Sequence, residues 1–127
     1  MVALFNRGDR HHARAFAYFE ACRDDLVTNI AVITEAVHML DFSHAAATDF
    51  LGWVNEAFTI DQATASDLTR IGRIMKMYDD LPADFADASL VAMCERLKLG
   101  RIATFDRDFD VYRLADGPSL TNVLARG

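Results

Sequence analysis

A single α/β domain with a parallel sheet is the fold class this sequence predicts, and three observations predict it. Short apolar, strand-like runs alternate with longer segments whose apolar residues recur three or four apart, the pattern of parallel strands joined by crossover helices that cover the sheet. A chain of 127 residues suits one domain, 1–127, and can bury enough surface to fold without staples. Only two prolines and six glycines interrupt a mixture that is 52% hydrophobic and 25% charged. No internal repeat, linker or low-complexity stretch divides it.

The elements follow in order. Residues 10–24 read as a helix, with Ala15, Phe16, Phe19 and Cys22 on one face. Residues 26–29 (LVTN) form a short buried strand, and Asn29 can cap the strongly apolar helix 30–42 that follows. A helix over 45–58 carries Phe50, Leu51, Val54 and Phe58 at helical spacing, and 59–61 is another brief strand. The segment 64–79 is helical, with Leu68, Ile71, Ile74, Met75 and Tyr78 inward and Arg70, Arg73 and Lys76 outward. After the Leu81-Pro82 break, 84–99 is a helix ended by Gly100 in the usual C-terminal position. Residues 101–105 (RIATF) form a strand, and 119–124 a last one.

The totals exclude some functions. Nineteen Asp and Glu against thirteen Lys and Arg give a net charge of −6, which argues against gripping nucleic acid by bulk charge. The same balance is compatible with an acidic nuclease site masked by bound cations. Cys22 and Cys94 lack CxxC or Cys/His zinc spacing and read as reduced thiols. With no signal-peptide pattern and no apolar run near the roughly 18 residues of a membrane span, the expected location is the cytoplasm, off the membrane.

Several carboxylates stand where chemistry would use them. Glu35 lies in Ile33-Thr34-Glu35-Ala36-Val37, among apolar neighbours, and a buried lone carboxylate costs several kcal/mol unless paired, protonated or metal-bound. The other reading puts it on the exposed stripe of an amphipathic helix near Thr34 and His38. Asp84 and Asp87 open the next helix of interest, where both are favoured as N-cap and first-turn residues, yet that end also faces the crevice where α/β domains bind ligands. Asp106 follows the strand 101–105, a position that points into the same crevice, whereas Asp108 and Asp110 read as a solvated acidic turn. Convergence of Glu35, Asp84, Asp87 and Asp106 would give an oxygen-only ligand set suited to Mg²⁺ or Mn²⁺, able to activate water against a phosphodiester.

The stretch Leu81-Pro82-Ala83-Asp84-Phe85-Ala86-Asp87-Ala88-Ser89-Leu90-Val91-Ala92, followed by Ile102-Ala103-Thr104-Phe105-Asp106-Arg107-Asp108-Phe109, resembles the C-terminal half of a PIN domain. Val32-Ile33-Thr34-Glu35 resembles that family's second acidic motif, and His11-His12-Ala13-Arg14-Ala15 after Asp9 resembles the start of its early helix. The similarity spans nearly the whole chain and is nearest to the VapC-type toxins of bacterial toxin–antitoxin pairs. It implies a PIN-like three-layer α/β/α fold and a Mg²⁺- or Mn²⁺-dependent ribonuclease. Glu35, Asp87 and Asp106 match three of the family's four acidic positions as catalytic metal ligands, Asp84 matches an often acidic neighbour, and Thr104 matches a supporting polar position beside the last of them. The resemblance also implies an RNA substrate, a small antitoxin and a homodimer.

One departure stands out. The family opens with an apolar strand ending in an Asp, and here Met1-Val2-Ala3-Leu4-Phe5-Asn6-Arg7 matches the end of the helix that follows it. The first strand and first acidic ligand are therefore expected to be missing, with Asn6, Asp9 and Asp49 not filling that place, and metal binding is expected to be weakened. A start assigned at an internal Met is one explanation; a shortened, catalytically weak relative that binds antitoxin or RNA without cutting is the other.

The remaining features have bland readings beside the functional ones. Arg70, Arg73 and Lys76 read as a solvated helix face or a stripe for an RNA backbone, while Arg107 and Arg113 are the better candidates for phosphate contacts. Trp53 and the nine Phe residues read as core or dimer interface, and the adjacent His11 and His12 as surface residues. Glu35 and His38 have the Glu-x-x-His spacing of di-iron bundles, but that architecture needs a second copy and the sequence has none.

Overall fold

Four residues of strand run directly into a helix at Asn29, and that junction sets the frame for the rest. The computed structural model describes residues 25–78 and 84–102, together with Ala17, Glu20, Thr121 and Asn122. β1 (Leu26–Asn29) pairs in parallel with β2 (Phe58–Asp61), from Leu26 opposite Phe58 to Asn29 opposite Asp61. A parallel pair needs a crossover, and α1 (Ile30–Met39) and α2 (His44–Ala57) supply it. Asn29 has extended φ/ψ and its side chain accepts from the Val32 N–H at 3.0 Å, satisfying a donor that the first turn leaves open.

α1 stops at Met39, short of the expected Phe42. Leu40 leaves helical geometry at ψ 20°, its N–H shared between the carbonyls of Ala36 and Val37, and the Ser43 N–H reaches back to the Leu40 carbonyl at 3.2 Å. Ser43 then caps α2, its hydroxyl accepting from the Ala46 N–H. Ile33 and Ala36 of α1 and its C-cap Leu40 pack against Phe50 and Val54 of α2, with Trp53 set edge-on to Phe58 at a centroid distance of 5.1 Å. Trp53 is thus core packing. Leu51 lies about 100° round the helix from Phe50 and is exposed, not inward.

The segment expected as one helix from 64 divides into a 3₁₀ turn, Thr64–Asp67, and α3, Leu68–Met77. Ile71 and Ile74 form its inward stripe and meet Ala88, Val91, Ala92 and Cys94 of α4 (Phe85–Leu97). Leu68 at the start of α3 and Met75, one position past Ile74, are exposed instead. Small residues at Ala86, Ala88, Ser89 and Ala92 are all buried and let neighbouring elements approach α4 closely; α1, α3 and β1 all lie against it. Its end is not made by Gly100. Lys98 takes the left-handed conformation (φ 57°, ψ 42°), the Leu99 N–H donates to the Cys94 carbonyl at 2.8 Å and the Lys98 N–H to that of Glu95.

Two ion-pair groups bind α4 to the elements before it. Arg96 donates to both Asp67 oxygens and to both Asp61 oxygens, joining α4 to the end of β2 and to the 3₁₀ turn. Arg70 makes a fork-to-fork pair with Glu95, both bonds 2.8 Å, so it belongs to the packing and not to the free cationic stripe expected with Arg73 and Lys76. β3 (Arg101–Ile102) and β4 (Thr121–Asn122) form a second parallel pair inside the strands expected at 101–105 and 119–124. Ala17 and Glu20 are helical, within the helix expected at 10–24. The expected lack of a first strand concerns positions outside the described residues. Among the described residues no helix is long and apolar enough to cross a membrane.

Candidate metal centre

Glu35 follows the buried Ile33 and precedes the buried Ala36, while Thr34 and His38 are exposed. It is itself half-buried, placed at the border between the packed and solvated faces of α1. The residues that meet it come from the first turn of α4. Asp84 is the N-cap, with extended backbone and Oδ1 accepting from the Asp87 N–H at 2.9 Å. Asp87 sits in that first turn, half-buried. One carboxylate oxygen from each of Glu35, Asp84 and Asp87 lies within 4.8 Å of the others.

Capping and clustering therefore coincide at Asp84: the side chain that closes the helix also faces the two other acids. The positive end of the α4 dipole favours Asp84 and Asp87 there, but it does not remove their mutual repulsion. Two unit charges about 4.8 Å apart repel by about 0.9 kcal/mol in bulk water and about 3.5 kcal/mol at an effective dielectric near 20. A cation among them reverses the sign of that interaction. Among the described residues the donor set is all oxygen, without imidazole or thiolate, which fits a hard divalent ion better than copper or a structural zinc.

The β1–α1 junction carries a feature that sequence alone does not supply. Beyond its capping bond, Asn29 donates from Nδ2 to the Ser89 hydroxyl at 3.1 Å, and Ser89 donates onward to the Ala86 carbonyl at 2.6 Å. The pairing joins residues 60 apart in sequence. Only the cap half was visible locally, as an Asn directly before an apolar helix.

Of the other candidates, Thr104, Asp106, Arg107 and Arg113 lie outside the described residues. His38 is exposed and does not join the acids around Glu35, which leaves the Glu-x-x-His reading without support. Asp49 is an exposed residue of α2, outside the cluster. Cys94 is a free, buried thiol, pushed up to about 11 mainly by burial, so it is inert as a nucleophile or ligand at neutral pH.

Known proteins give a consistent comparison. No curated protein matches the chain. Among solved structures, VapC20 of Mycobacterium tuberculosis, described as a toxin cleaving the sarcin-ricin loop, superposes with a TM-score of 0.79 at 22% identity, covering 87% of each chain. At that identity the likeness concerns the fold, and it agrees with the α/β architecture and parallel pairing expected from the sequence. The family model for the PIN domain matches residues 1–114. This chain belongs to the PIN domain family.

Proposed function

We propose that this protein is a metal-dependent endoribonuclease, the toxin of a bacterial toxin–antitoxin pair, which hydrolyses RNA phosphodiesters in the cytoplasm. The observation that carries the reading is the meeting of Glu35, from α1, with Asp84 and Asp87, from α4, in a chain of the PIN family. The fold shared with VapC20, an RNA-cleaving toxin by its description, supports it, and the extent of the family match supports one domain. Glu35, Asp84 and Asp87 would hold Mg²⁺ or Mn²⁺, with Asp106 completing the acidic set. Bound there, such an ion supplies an activated water and stabilises the leaving oxygen. Asp84 has a second task, since its bond to the Asp87 N–H fixes the turn on which Asp87 is carried. Thr104 orients a water or a carboxylate, Arg107 and Arg113 contact phosphate, a second copy forms the dimer, and a small antitoxin restrains the activity.

The test is cleavage of a labelled structured RNA by the purified chain with Mn²⁺, with Mg²⁺ and with chelator. Metal-dependent cleavage, lost in Glu35→Gln and Asp87→Asn variants that remain folded, is the expected result. Cleavage that persists in chelator, or that both variants retain, contradicts the reading. Metal binding without any cleavage favours a PIN-like module that holds RNA or antitoxin without cutting.

A further inference from the structure

Glu35 and Asp87 stand on different helices, so their separation depends on how α1 docks against α4. Asn29 ties the N-terminal end of α1 to the N-terminal part of α4, which carries Asp84 and Asp87. It is fully buried, 0% exposed, as the last residue of β1 and the N-cap of α1. Its Oδ1 accepts from the Val32 N–H at 3.0 Å and its Nδ2 donates to Ser89 Oγ at 3.1 Å. Ser89 is 1% exposed and donates to the carbonyl of Ala86, the residue before Asp87.

Capping alone does not require asparagine, since serine, threonine or aspartate would supply the acceptor. Aspartate offers no donor and would bring a charge into a fully buried place. Serine is too short to cap α1 and reach α4 together. The planar amide does both at once and fixes the two bonds at a set angle. A continuous line of hydrogen bonds thus runs from the first turn of the helix carrying Glu35 to the first turn of the helix carrying Asp87. Every polar group in that line is buried or part of a helix end, where a lost partner is costly.

We infer that Asn29 is a positioning residue for the carboxylate cluster: through Ser89 it sets the spacing of Glu35 from Asp84 and Asp87 before any cation binds. The inference rests on the metal reading proposed above. Removing a group bonded directly to a metal ligand costs about 10–100-fold in affinity; Asn29 acts one link further back, through the backbone that carries Asp87, so the lower end of that range is expected.

The test is Mn²⁺ binding by calorimetry to the full chain and to Asn29→Ser, Ser89→Ala and the double variant, with urea midpoints measured in parallel. Asn29→Ser keeps a capping hydroxyl and removes the tie; Ser89→Ala keeps the cap intact and removes the acceptor. Each single variant should stay folded and bind Mn²⁺ about tenfold more weakly, and the double variant should be no weaker than the singles. If Asn29→Ser fails to fold, Ser89→Ala still reports on the tie. Lower urea midpoints with parental Mn²⁺ affinity would overturn the positioning role and leave a structural one. A parent chain that binds no Mn²⁺ overturns the metal reading and the positioning role with it, whereas a binding parent with unaffected variants overturns the positioning role alone.

Discussion

Replacing Arg96 by alanine removes the guanidinium that Asp61 and Asp67 share. In the native chain its Nε and Nη2 lie 3.0 Å from Asp67 oxygens and its Nη1 lies 3.1 Å from Asp61. The Asp61 and Asp67 side chains are 11% and 10% exposed, and that of Arg96 29%. An exposed ion pair contributes about 0–1 kcal/mol, and stripping the partner from a buried one costs about 3–5 kcal/mol. Two largely buried carboxylates around a partly exposed cation fall between, so a loss of about 2 kcal/mol is expected. That is a large part of the roughly 5–15 kcal/mol by which domains are stable. Urea unfolding at pH 7 followed by circular dichroism measures it. A triple variant, Arg96→Ala with Asp61→Asn and Asp67→Asn, should recover much of the loss because no stranded charge remains. The pH dependence gives a second readout. The hydrogen bond from Arg96 is the main influence holding the Asp61 carboxyl below its ordinary 3.8, against the opposing effect of burial. A folded-state value below the unfolded one means the stabilisation is fully present above about pH 3.8 and is lost as pH falls through the lower folded value. The acid limb of stability should therefore flatten in Arg96→Ala. A variant within about 0.5 kcal/mol of the parent, with an unchanged acid limb, would mean that Arg96 does not stabilise the Asp61 and Asp67 carboxylates.

Three further outcomes are expected. Lys98→Gly relieves the left-handed strain at the end of α4 and should raise the urea midpoint by the equivalent of about 1 kcal/mol; a lower midpoint would mean that the lysine side chain outweighs the backbone cost. Gly72→Ala, at an exposed position of α3 where an added Cβ meets nothing within 4 Å, should stabilise by about 0.8–1 kcal/mol, again read from urea unfolding. In a Cys22→Ser background, Cys94 should react with a thiol reagent at pH 8 only as fast as the domain opens. Its thiol is raised from 9.0 to about 11, so the folded state keeps its proton longer and stability should fall as pH rises between those values; rapid labelling of the native chain would contradict the burial.

The sequence made the local features legible. Asn29 before an apolar helix marked a cap, Asp84 and Asp87 after a proline break marked a helix start, and Glu35 among apolar neighbours marked a carboxylate in need of a partner. The meeting of Glu35 with Asp84 and Asp87 followed because α/β topology brings strand ends and helix starts to one crevice. What sequence missed is non-local. Arg96 finds Asp67 and Asp61 at separations of 29 and 35 residues, and no periodicity announces such a choice. Arg70 looked like one of three equivalent cations on a stripe, yet only the packing of α3 on α4 brings Glu95 within its reach. Gly100 was the natural stop for α4 on residue preference; the chain instead bends two residues earlier, because the Leu99 N–H is placed to close on Cys94 when Lys98 takes the left-handed conformation. Leu51, Leu68 and Met75 are apolar at plausible helical positions but exposed, since apolarity fixes a preference and the neighbouring helices decide which stripe is covered.

If the acids of α1 and α4 form one cation site, a divalent ion must bind to them together. Calorimetric titration of Mn²⁺ into the chain and into its Glu35→Ala and Asp87→Ala variants tests it most directly. Binding by the parent, abolished or strongly weakened in each variant while circular dichroism shows both folded, is the expected result. A parent that binds no Mn²⁺, or a variant that binds as the parent does, would contradict it.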